Sequence, residues 1–158
     1  MEEKREKRIR MLTLAFGIAL MPPIWAVLIC AGLYVANGNQ RKDALKITVG
    51  FLCGDVWAVL AVWIMEAMPF HPNVELYCTL FVLGGLAVII GETYSRFIFV
   101  PSWLCGWAIG LTILGPMKVQ EFGTLPIQIG AAMIAGVVYV GIGVDAFQRM
   151  LLKKFGIS

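Results

Sequence analysis

Ala44-Leu-Lys-Ile-Thr-Val-Gly-Phe-Leu-Cys-Gly-Asp-Val-Trp-Ala-Val-Leu-Ala-Val-Trp-Ile-Met-Glu-Ala-Met68 decides the fold. Between Lys46 and Glu66 this stretch holds a single charge, Asp55. It has none of the two-residue alternation of a half-buried strand. About 20 predominantly apolar residues, rising 1.5 Å each as a helix, cross the hydrocarbon core of a bilayer. A carboxylate near the helix centre costs about 2.5–3.5 kcal/mol on insertion scales, and each strongly apolar residue returns about 0.3–0.6. Ten such residues between Leu45 and Ile64 outweigh Asp55, so the segment inserts despite its acid.

Four further apolar stretches flank it: Met11–Ala36, broken by Pro22-Pro23, then Val74–Gly91, Phe97–Met117 and Leu125–Val144. The chain has 158 residues, 59% hydrophobic and 15% charged, against about half and a quarter for an ordinary soluble domain. The fold class expected is all-α, a polytopic membrane helix bundle. Its expected organisation is a charged cytoplasmic tail over residues 1–10, one integral membrane domain over 11–147 and a basic cytoplasmic tail over 148–158. The mixed-charge start, Met1 to Arg10, leads into an apolar run without a small-x-small cleavage pattern and reads as a cytoplasmic extension.

The distribution of lysine and arginine separates two topologies. Five lie before Met11, three at Arg41, Lys42 and Lys46, one each at Arg96 and Lys118, and three at Arg149, Lys153 and Lys154. If all five segments cross once, the two sides hold six and seven, which is no bias. If Met11–Ala36 enters and leaves on one side, they hold twelve and one, a strong positive-inside pattern. Proline at 22 and 23 removes two backbone donors and blocks a continuous helix. Each half then spans roughly 16–20 Å, near the midplane rather than across. Four crossing helices and a re-entrant hairpin are expected, with both termini cytoplasmic; the alternative is five crossing helices, the first kinked at its prolines.

Three short blocks resemble a known family. They are Trp25-Ala-Val-Leu-Ile-Cys-Ala-Gly-Leu-Tyr-Val-Ala36, Gly54-Asp-Val-Trp57, and Phe99-Val-Pro-Ser102 with the glycine-containing helix after it. Together they cover most of residues 14 to 145 and are similar to the YcdZ-like inner-membrane family, catalogued as a domain of unknown function. Relatives tend to carry a neutral residue where this chain has Asp55 and glycine where it has Ser102. The resemblance implies a bacterial inner-membrane location and no established activity.

Asp55 heads the candidate residues, because an intramembrane acid usually faces a cavity or a partner; a hydrogen-bonded structural acid is the competing reading. Pro22, Pro23 and Pro101 interrupt helices, and broken helices at depth expose carbonyls and helix ends that bind polar solutes. Ser102 and Thr112 add hydroxyls. Trp25, Trp57 and Trp107 are candidates for interfacial anchoring or an aromatic constriction, against ordinary core packing. Gly50-x-x-x-Gly54 and Gly106-x-x-x-Gly110 permit close helix approach, between subunits or within one. His71, with Glu66 and Glu75 nearby in sequence, is a candidate pH sensor on the outer side, against a solvated loop histidine. Asp145 and Arg149, like Glu92 and Arg96, have the spacing of helix ion pairs.

Cys30, Cys53, Cys78 and Cys105 lie in four different apolar segments and form no CxxC pair, so they read as packing residues. No metal, cofactor or nucleic-acid partner is expected. With one histidine and no HExxH, GxSxG or P-loop pattern, the chain does not read as an enzyme. The function expected first is a homo-oligomeric channel or facilitator for a small uncharged solute such as urea or ammonia. The second is a proton-coupled transporter using Asp55, built as an inverted dimer. The third, from a different class, is a membrane interaction protein that transports nothing. The expected partners are the lipid bilayer, further copies of the chain and a small-molecule solute.

Overall fold

A computed structural model of the chain describes residues 24–38 and 40–154, all of them helix, turn or connection. The first half of the expected hairpin, with Pro22 and Pro23, and the N-terminal tail fall outside the described residues, while its second half is the helix Ile24–Ala36. Six α-helices follow one another: α1 Ile24–Ala36, α2 Arg41–Ala67, α3 Pro72–Thr93, α4 Val100–Leu114, α5 Leu125–Ala135 and α6 Val144–Lys154. A 3-10 turn, Val119–Glu121, precedes α5, and a π-helical segment, Gly136–Gly143, joins α5 to α6 into one rod.

Among the described residues three helices are long and apolar enough to cross a membrane: Arg41–Ala67, Pro72–Thr93 and Leu125–Lys154. Two shorter apolar helices, Trp25–Ala36 and Val100–Leu114, accompany them. α3 displays Tyr77, Phe81, Val82 and Ile89, each more than half exposed. Such a surface is at home against lipid tails and costly in water. The chain is a multi-pass membrane protein.

Local chemistry sets the helix ends. α3 starts where the His71 ring accepts a hydrogen bond from the Asn73 N–H at 3.4 Å and Pro72 occupies the first turn, where its missing donor costs nothing. α4 is shorter than the 97–117 stretch suggested. Pro101 lies in its first turn after the extended Phe99, and Gly115-Pro116 closes it. Two residues past the end of α1 stands Gly38, whose φ of 78° is the left-handed conformation that glycine adopts without strain. The last rod runs past Val144 to Lys154, where Lys153 and Lys154 in its last turn suit the negative end of the helix dipole.

The described residues pack as two units, one from the chain up to Ala44 together with Ile134 onward, the other Leu45–Met133. In the first, α1 lies along the π segment. A Cβ at Gly136 would stand 2.8 Å from the Cys30 Cβ, and one at Gly141 would stand 3.0 Å from the Tyr34 ring, so only glycine admits α1 this closely. Asp145, buried, gathers two guanidinium groups on Oδ2: Arg149 Nη2 at 2.9 Å and Arg41 Nε at 3.8 Å.

In the second unit, the two glycine pairs read from the sequence meet each other. Gly106 of α4 faces the Phe51 backbone, where an added Cβ would stand 2.5 Å from the carbonyl oxygen. Gly54 of α2 faces the Trp103 carbonyl and the Trp107 and Gly106 backbone, and Gly50 faces the Ser102 hydroxyl and the Phe99 carbonyl. Gly110 faces Ala58 and Asp55. These four glycines serve packing inside one subunit.

Candidate functional site

The α2–α4 contact is where Asp55 lies. Glycine at 54, 106 and 110 brings the two backbones together and leaves the carboxyl group enclosed, with 7% of the residue exposed. On one side a Cβ at Gly110 would stand 3.6 Å from Oδ1; on the other, a Cβ at Gly130 of α5 would stand 3.4 Å from Oδ2. Asp55 is therefore walled by glycine from two helices. Its Oδ1 has no hydrogen-bond partner among the described residues. Buried polar atoms are ordinarily paired, and leaving one unpaired costs about 1–3 kcal/mol or more for a charged group. An acid held this way is expensive as a static part of the fold.

Three tryptophans fill the neighbouring space against α3. Trp57 Nε1 donates to the Leu83 carbonyl at 3.0 Å, and its ring meets Trp103 edge-on, with centroids 5.0 Å apart and planes at 87°. The buried stripe of α3, Thr79, Leu83, Ala87 and Gly91, receives this layer. The six-membered edge of Trp107 would lie 3.8 Å from a Cβ at Gly84, and that of Trp103 3.9 Å from one at Gly91. The indole N–H groups of Trp103 and Trp107 and the hydroxyl of Thr79 are buried without a partner among the described residues. Val49, Leu52, Cys53, Val56, Trp57 and Trp103 also line an apolar recess of about 280 Å³.

Residues 10–148 match the family model described as a protein of unknown function, DUF1097. The chain belongs to that family. No curated protein and no solved structure matches it. The DUF1097 match runs from before α1 into α6, so Asp55, its glycine walls and the tryptophan layer all fall within it.

In this DUF1097 chain the remaining candidates are scattered. Ser102, fully buried, donates to the Phe99 carbonyl at 2.7 Å and packs on Gly50. Thr112 is exposed and donates to the Ala108 carbonyl at 2.7 Å, one turn back in its own helix. Pro101 serves the start of α4. Trp25 is 41% exposed. His71 caps α3 in an exposed turn. The structure therefore brings Asp55 together with Trp57, Trp103 and Trp107 in one unit and leaves Thr112 and His71 at the surface. Thr79 and the glycines at 110 and 130 are the additions. Their one sequence signal is spacing: Thr79 shares a face with Leu83 and Ala87, and Gly110 closes a glycine pair.

Proposed function

We propose that this protein is a proton-coupled carrier of a small solute in the bacterial inner membrane, with Asp55 as the group that takes up and releases the proton. The observation that carries this reading is Asp55 itself. It is an acid in the middle of an apolar 27-residue helix, nine-tenths buried, with one carboxyl oxygen unpaired among the described residues. Intramembrane acids of this kind mark ion and solute pathways. The close backbone packing of Gly54, Gly106 and Gly110 around it favours a carrier that opens and closes over a standing water-filled passage for urea or ammonia. The charge count favours cytoplasmic termini, and the small lumen available to so few helices favours work as a homo-oligomer. Transport rather than enzymatic turnover accords with the chemistry gathered at Asp55.

The test is proton movement in liposomes. Purified protein is reconstituted with an internal pH dye, a pH gradient is imposed, and a panel of small amines, amides and organic acids is added outside. Solute-dependent dissipation of the gradient is expected with wild type, retained in part by Asp55→Glu and lost in Asp55→Asn that still folds. An Asn variant as active as wild type would end the carrier reading. Solute flux that ignores the gradient in both would establish a channel.

A further inference from the structure

At one end of the Leu45–Met133 unit, α2, α3 and α4 enclose a groove of about 460 Å³. Val62 and Glu66 of α2, Glu75 and Leu76 of α3, Leu111 of α4 and Lys118 beyond it are among its lining. Both carboxylates are held by backbone donors. Glu66 Oε2 accepts from the Val119 N–H at 3.3 Å, and Glu75 Oε1 accepts from the Phe70 N–H at 3.0 Å. Each of these groups has a second oxygen that the backbone bond does not use. A third carboxylate, Glu121, accepts from the N–H of the lining residue Lys118 at 3.2 Å. Acid exceeds base here, over an apolar floor. That is the complement of a molecule with one cationic amine and an apolar body.

The groove also has depth. On α2, Val62 and Glu66 stand seven and eleven residues past Asp55, which places all three on one helix face. On α3, Thr79 stands one turn past Glu75, on the same face. On α4, Trp107 stands one turn before Leu111, again on the same face. Asp55, Thr79 and Trp107 are 7%, 2% and 6% exposed. Each holds a buried polar atom, Oδ1, Oγ1 and Nε1, with no partner among the described residues. All three walls of the groove therefore continue inward to an unsatisfied polar atom, and buried polar atoms in native folds are completed by water or ligand.

We propose that this groove binds an alkylammonium compound, its amine on Glu66 and Glu75 and its apolar body over Val62, Leu76 and Leu111, at the mouth of a path toward Asp55. The link to Asp55 rests on the carrier reading; the binding site stands without it. A free amine and the amine of a lipid headgroup share this chemistry. The test is calorimetric titration of the full chain in uncharged maltoside micelles with benzylammonium, a primary ammonium on an apolar body.

Saturable binding of one cation per chain is expected. Glu66→Gln with Glu75→Gln weakens it roughly tenfold or more, since each exposed charge contributes a few-fold. Lys118→Ala, which removes a like charge and no recognition group, strengthens it. Absence of saturable binding in wild type, or unchanged binding in the double Gln variant, overturns the site. Repeating the titration in phosphatidylglycerol discs without and with phosphatidylethanolamine tells the two sources apart. Loss only where phosphatidylethanolamine is present supports the site with a headgroup amine as occupant, and retention in both supports it with a free amine. Binding without any amine-driven proton flux keeps the site and rejects the carrier reading.

Discussion

Replacing Gly106 by alanine tests the α2–α4 contact at a point where backbone meets backbone. The new Cβ would stand 2.5 Å from the Phe51 carbonyl oxygen and 2.9 Å from its Cα, while ordinary contact begins at 3.4 Å. Neither atom belongs to a side chain, so no rotamer change relieves the overlap and the helices must part by about 0.9 Å. A gap of about 0.5–1 Å forfeits a quarter to a half of each dispersion contact along the seam, and overpacked interiors lose about 1–3 kcal/mol. Alanine returns up to about 1 kcal/mol of helix propensity. A net loss of about 1–2 kcal/mol follows. Gly85→Ala is the internal control: it sits mid-helix in α3 with nothing within 4 Å of its Cβ position, so it gains the propensity alone. Unfolding in mixed micelles of increasing dodecyl sulfate, followed by tryptophan fluorescence, reads both. The packing argument fails if Gly106→Ala matches wild type, or if Gly85→Ala loses as much.

Other substitutions report on other contacts. Tyr34→Phe removes a fully buried hydroxyl that has no partner among the described residues; it is expected to leave stability unchanged or raise it by up to about 1 kcal/mol in the same micelle titration. Asp145→Asn takes the shared carboxylate from Arg41 and Arg149, both more than half exposed. Solvent compensates those guanidinium groups in part, so a loss of about 1–2 kcal/mol is expected. Trp57→Phe cancels the hydrogen bond to Leu83, which predicts about 1 kcal/mol of destabilisation and a changed near-ultraviolet dichroism from Trp103, its edge-on neighbour.

Helix type and the rough positions of the apolar segments were legible from the sequence, because long uncharged runs have few other solutions. Ends governed by proline and glycine were less so. Pro101 and Gly115-Pro116 trim α4 to Val100–Leu114, six residues fewer than its apolar run. α6 extends the last rod to Lys154, since a charged helix can leave the apolar region without unwinding. Asp55 stood out as the lone charge in its segment. Its walls did not: that Gly110 and Gly130 close on it from two other helices depends on pairings that hydropathy does not encode. The pairing of Gly50 and Gly54 with Gly106 and Gly110 was equally compatible with an interface between subunits. Glu66 and Glu75 were grouped with His71 by sequence proximity. Lys118 joins their groove only because the ends of α2 and α4 meet the start of α3 there.

The central claim is that Asp55 gains and loses a proton inside the folded protein. Infrared difference spectra of wild type and Asp55→Asn, recorded across a pH step in lipid, test it most directly. The account predicts a carboxylic-acid carbonyl band that falls as pH rises, matched by a growing carboxylate band, both missing from the Asn variant. Identical difference spectra from the two proteins would contradict it.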